Sequence, residues 1–232
     1  MSEPCNIAAA LPRLARERPA QVAMRCPGRD GRYRVELTYA QLDARSDAIA
    51  AGLARRGIGR GSRIVVMVRP TPEFFLVMFA LFKAGAVPVL VDPGIDKRAL
   101  RQCLAEAAAD AFLGVPVALL AKALLRWAPS ARLRITTGKR AWLADATLDE
   151  LEHAGAHAAP QLADTEPDAV AAILFTSGST GVPKGVVYRH RHFVAQVDML
   201  RQAFGIEAGG IDLPTFPPFA LFDPALGLTS II

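Results

Sequence analysis

The segment richest in chemistry is Thr176-Ser-Gly-Ser-Thr-Gly181-Val-Pro-Lys184-Gly185, which follows an apolar run from Ala171 and precedes Val186-Val187-Tyr188. Hydroxyls, glycines and a lysine in this order suit the binding of a polyphosphate. Gly178 and Gly181 allow sharp turns and a close backbone approach. Thr176, Ser177, Ser179 and Thr180 supply hydroxyl donors, and Lys184 supplies a compact positive charge. The segment is not a Walker A loop: Pro183 stands where the glycine before the lysine belongs, and Gly185 replaces the Mg²⁺-binding Ser or Thr. A flexible Ser/Gly linker would not sit between two apolar strand patterns and carry Pro-Lys-Gly.

The elements that must position this loop read as an alternation of strands and helices. Thr38-Tyr-Ala-Gln41 fits a capping box and opens a helix with Leu42, Ile49 and Leu53 on its apolar face, ended by Gly57. Arg63–Val68 reads as a buried strand. Thr71-Pro72-Glu73 starts a helix that runs through Phe82 and stops near Gly85, and Val87–Val91 is the next strand. Helices over 96–109 and 116–127 then alternate with strands over 111–115 and 132–137. This order predicts an α/β fold of mostly parallel sheets flanked by helices, with ligands bound beyond the carboxyl ends of the strands. Residues 1–142 form the expected first α/β subdomain, and the polar, Ala-rich 143–168, with a short helix near Leu148–Glu152, the expected surface connection. Residues 169–232 are the expected start of a second α/β subdomain carrying the loop.

Composition narrows the class. Of 232 residues, 52% are hydrophobic and 21% charged, so the chain is neither disordered nor low-complexity. The net charge of +5 comes from scattered arginines. With 7% aromatics and no concentrated basic face, this is a solvated basic surface and not a nucleic-acid interface. Cys5, Cys26 and Cys103 form no close pair and read as reduced, small-hydrophobe cysteines, hence a cytoplasmic setting. His153 and His157 share a helix spacing but lack a third ligand, so no metal site is expected. The apolar run Phe74–Phe82 is too short to span a bilayer, and 6–20 lacks the apolar core of a secretory signal.

Phe175–Gly185 as a whole resembles the phosphate-binding signature of the adenylate-forming superfamily, which includes acyl-CoA synthetases, luciferases and peptide-synthetase adenylation domains. Leu37-Thr-Tyr-Ala-Gln-Leu42 is similar to its first core motif, and Lys83-Ala-Gly-Ala-Val-Pro-Val-Leu-Val-Asp-Pro93 to its second. Phe216-Pro-Pro-Phe-Ala-Leu-Phe-Asp223 lies where the acyl-pocket motif belongs. Residues 91–98, 188–193 and 213–224 most resemble the β-lactone-forming branch of bacterial long-chain olefin biosynthesis. The resemblance implies the incomplete amino-terminal domain of the adenylate-forming fold. It implies ATP with Mg²⁺, activation of a fatty acid or 3-hydroxy fatty acid as an acyl-AMP, pyrophosphate release and closure to a β-lactone, with other olefin-biosynthesis enzymes as partners.

By the same resemblance, Thr176–Gly181 surround the β- and γ-phosphates with Lys184 assisting. His190 falls where the superfamily has a histidine after the loop, although a capping or core role explains it equally. Phe219, Leu221 and Phe222 are expected to line the acyl tunnel, where core packing would also explain them; Tyr188 could be either. The slot that is often histidine in acyl-CoA-forming relatives is Ala220 or Asp223, which speaks against thioester formation. Asp223 also resembles the aspartate with which amino-acid-activating domains hold an ammonium group. The superfamily's later adenine, ribose and catalytic-lysine motifs are not in this sequence. Together with the uncapped apolar run 224–232, this leads to the expectation of half an active site within a longer enzyme, or of an inactive truncated fragment acting only as a partner. A fatty-acyl-CoA ligase remains an alternative.

Overall fold

A computed structural model describes residues 5–28, 30–92, 95–139, 142–176 and 183–232. A 3₁₀ turn (Ile7–Ala9) leads into α1 (Ala10–Glu17) and an antiparallel pair, β1 (Val22–Pro27) and β2 (Tyr33–Thr38). The alternation expected from sequence follows: α2 (Tyr39–Ala54), β3 (Arg63–Met67), α3 (Pro72–Ala84), β4 (Val87–Val91), α4 (Lys97–Glu106), β5 (Ala111–Gly114), α5 (Pro116–Leu125) and β6 (Leu133–Thr136). Next come β7 (Ala146–Thr147), α6 (Leu148–Gly155), β8 (Val170–Thr176), β9 (Lys184–Arg189), α7 (His190–Phe204) and β10 (Ile211–Asp212). A 3₁₀ turn (Pro217–Leu221), α8 (Asp223–Leu226) and β11 (Thr229–Ile231) complete the described elements.

Local chemistry sets the helix ends. The Thr38 hydroxyl accepts from the Gln41 N–H while the Gln41 side chain accepts from the Thr38 N–H, closing the capping box that starts α2. Pro72 enters α3 in its first turn, and Gly85 ends it in the left-handed region at φ 68°. Every residue from Phe74 to Lys83 is buried, so α3 is the central helix of the larger core.

Seven strands form one sheet in the order β7-β6-β5-β3-β4-β8-β9, parallel except for the β8–β9 hairpin at one edge. Side chains alternate across it. Ile64 and Val66 face the core around α2 and α3, whereas Val65, Val89 and Phe112 face Cys103 and Leu104 of α4 and Leu119 of α5. A smaller sheet, β10-β11-β1-β2, pairs β1 with β11 in parallel.

This topology corrects the expected subdomain boundary. β8 pairs with β4 through Val89↔Ile173 and Val91↔Phe175, so residues 169–189 extend the first sheet instead of beginning a second unit. Nor is 143–168 merely a surface connection. β7 adds the edge strand to the sheet, and Leu148 and Leu151 of α6 are buried against α2. Further on, the Ala163 N–H donates to Lys83 O and the Thr165 hydroxyl to Cys5 O. Glycines let α6 approach α2 closely. A Cβ at Gly52 would lie 2.2 Å from Leu151 O, and one at Gly155 would lie 1.9 Å from Ala48 O.

Candidate active site

β8 delivers Thr176 to the carboxyl edge of the sheet, and the returning β9 begins at Lys184 directly opposite in register. Both side chains are exposed there. One step inward, Gly185 faces Phe175, whose ring would lie 3.0 Å from a Cβ at that position. Glycine thus lets the ring pack flat under the hairpin. Ser177, Gly178, Ser179, Thr180 and Gly181 lie outside the described residues.

Beside Thr176 is a cavity of about 430 Å³ bounded by Val66, Val91, Asp92 and Phe175 from the ends of β3, β4 and β8, and by Phe216 and Pro218. This is the edge where parallel sheets place their ligands. A hydroxyl, an ammonium and an apolar recess are therefore gathered at one edge, a donor set that fits a polyphosphate.

The segment 213–219 separates this recess from a larger one of about 800 Å³. α7 provides one wall of that second cavity through Met199, Leu200 and Phe204, and Asp212, Phe219, Phe222 and Asp223 contribute opposite it. Phe219 and Phe222 are three residues apart on a 3₁₀ turn, so they share a face. Leu221 is on another face, 4% exposed within the core, and lines neither cavity, which corrects its expected place in the acyl tunnel. Ala220 is likewise buried in the core. Tyr188 stacks on Phe193 at 5.5 Å and packs against the same core.

Asp223 is 3% exposed, and its Oδ2 accepts from the Ser230 hydroxyl at 2.6 Å. Burial pushes its carboxyl up to about 7; the Ser230 hydrogen bond opposes this, and the charge and hydrogen bond of Asp212 add to it. The parallel β10–β11 pairing explains the cluster, because it sets Asp212 opposite Ser230. Neither Asp212 nor Ser230 carries a sequence signal, since a three-residue strand and a two-residue strand must first pair across the fold.

His190 is not brought to this site. It follows Arg189, which pairs with Val170 at the amino end of β8, whereas Lys184 pairs with Thr176 at the carboxyl end. A seven-residue strand separates the two ends, about 20 Å at the usual rise. There His190 is buried, with Nδ1 unpartnered, and burial together with Arg60 lowers its pKa to about 4. It is a neutral core histidine at the start of α7, which corrects the catalytic expectation.

Lys83 of the second motif is fully buried, and its Nζ donates to Asp43 Oδ1 at 2.6 Å and Asp47 Oδ1 at 2.8 Å. It joins α3 to α2 and lies outside both cavities.

The AMP-binding enzyme family matches residues 11–220. The whole chain is 70% identical to an olefin beta-lactone synthetase of Xanthomonas campestris pv. campestris and 68% identical to one of Stenotrophomonas maltophilia. It spans 43% of the length of each of these curated relatives. The long-chain-fatty-acid-CoA ligase of Archaeoglobus fulgidus shares the fold at a TM-score of 0.82 and 18% identity, over 100% of this chain and 48% of that one. With the family match covering residues 11–220 and such high identity to curated relatives over the whole chain, this chain belongs to the AMP-binding enzyme family.

Proposed function

We propose that the chain provides the phosphate- and acyl-binding half of an ATP-dependent ligase. It activates a fatty-acid carboxylate, that of a 3-hydroxy long-chain acid, as its acyl adenylate and leads to a β-lactone in cytoplasmic olefin biosynthesis. The observation that supports this most directly is the Thr176–Lys184 pair facing across the β8–β9 hairpin, with an apolar recess on each side of 213–219. High identity to two olefin beta-lactone synthetases supports the lactone-forming reading.

In this reading the carboxylate oxygen attacks the α-phosphorus and pyrophosphate departs. The Thr176 hydroxyl and the Lys184 ammonium are fixed before the reaction where charge gathers on the leaving group. Mg²⁺ offsets phosphate charge when it is bound. Among the described residues no three His, Cys, Asp or Glu side chains gather to hold a metal, so the ion would enter on the nucleotide. Lactone closure uses the substrate's own hydroxyl, and the protein's part there is to hold the chain in one reactive conformer.

The test is calorimetric binding of Mg²⁺–pyrophosphate and Mg²⁺–ATP to the chain beside Lys184→Ala. A charge-assisted contact predicts at least about a tenfold loss for both ligands. Unchanged binding by the variant would sink the reading. In a turnover assay of a ligase that carries this half together with the later motifs, given 3-hydroxyhexadecanoic acid, the expected products are pyrophosphate, AMP and lactone whether or not CoA is present.

A further inference from the structure

Apart from Lys122, every residue of α5 is apolar. One side of the helix buries Ala118 and Leu119 in the core that the large sheet shares with α4. The opposite side repeats Val117, Leu120 and Leu124 at helical spacing, with Leu125 alongside. All four are exposed, Val117 at 64% and Leu124 at 72%. Single exposed apolar residues are ordinary, but a stripe of them along a helix marks a face that meets a partner.

Charge narrows the partner. Residues 97–139 hold eight Lys and Arg against two Asp and Glu, which more than accounts for the net charge of +5 of the whole chain. Arginines scattered along the sequence are gathered by the fold. Arg98 and Arg101 of α4 and Arg126 at the end of α5 line one groove of about 440 Å³. Leu124, Leu125 and Trp127 complete its lining, and no Asp or Glu enters it. The groove therefore continues the apolar stripe at Leu124 and Leu125. Arg126 is held there at φ 53°, in the left-handed region that favours glycine.

An apolar helix face rimmed by guanidinium groups is the make-up of a helix that lies in a membrane interface. Anionic headgroups offer phosphates to the planar donors of arginine, and the acyl layer accepts leucine. A nucleic acid would match the charge but leave the leucines in water. Among the described residues no helix is long and apolar enough to cross a bilayer, so the contact is made by lying on it.

We propose that the outer face of α5, with the Arg98–Arg101–Arg126 groove beside it, docks the chain on an anionic phospholipid bilayer. The inference is independent of the acyl-activation reading.

The test is co-sedimentation of the chain with vesicles of phosphatidylcholine alone, or of phosphatidylcholine and phosphatidylglycerol in equal parts. Three basic groups at an anionic surface predict at least about tenfold tighter binding to the mixed vesicles, weakening as salt is raised. Arg98→Glu with Arg101→Glu, and separately Leu120→Ser with Leu124→Ser, should each lower that affinity at least about tenfold. All four positions are exposed, so both variants should keep the melting temperature of the parent. Arg55→Glu with Arg56→Glu, exposed at the end of α2 on the other side of the large sheet, alters net charge equally and should bind nearly as the parent does. Equal affinity for the two kinds of vesicle, binding that survives either groove variant, or an equal loss in the α2 variant overturns the proposal.

Discussion

Asp223 and His190 link protons to folding with opposite signs. The Asp223 carboxyl titrates at about 7 in the folded chain against an ordinary 3.8. Between these values the folded chain keeps a proton that the unfolded chain has released. Stability from this group is therefore present below about pH 4 and lost as pH rises through 7. Asp223→Asn should raise the melting temperature at pH 8 and do so much less at pH 5. His190 behaves inversely, with a folded value of about 4 against 6.5. Its contribution is complete above pH 6.5 and lost as pH falls through 4. Thermal melts of His190→Gln from pH 4 to 7 should show a shallower acid decline than the parent chain; a parallel decline would contradict the assignment of a buried neutral imidazole.

Between elements, one crossing and one charge cluster hold α2 in place. Gly52 and Gly155 let α2 and α6 touch backbone to backbone. Gly155→Ala should lower the unfolding free energy in urea by about 1–3 kcal/mol, the range for overpacking. Lys83→Met should cost about 3–5 kcal/mol, because it strands the Asp43 and Asp47 carboxylates, 17% and 14% exposed, without their cation. Caps and breakers made α2 and α3 legible from sequence, since Thr38 with Gln41, and Pro72 with Gly85, act within a turn or two. The placement of Thr176 and Lys184 at facing strand ends was legible for the same reason. The amphipathic α7 and the strands β1, β2 and β11 went unread; β11 in particular pairs with β1, about two hundred residues earlier in the chain. Residues 143–168 were misread because a polar, Ala-rich composition suits a solvated strap as well as a helix buried on one side. For His190 the sequence left a catalytic and a core role level, because the length of β9 between it and Lys184 decides between them only in the folded sheet.

Across the whole molecule, the small sheet ties the first described elements to the last. The Tyr39 hydroxyl, fully buried, donates to Leu228 O at 2.7 Å, and Ile232 N–H donates to Arg25 O. Tyr39→Phe should destabilise the chain by about 1–2 kcal/mol in denaturant titrations, the effect of a lost buried hydrogen bond. The register Met24↔Ser230 also has a consequence during synthesis. At roughly 5–20 residues per second, β1 emerges about 10–40 s before β11 exists to cover it. Over that interval β1 presents an open strand edge to the cell, and nascent chains of this protein would be most vulnerable to mispairing there.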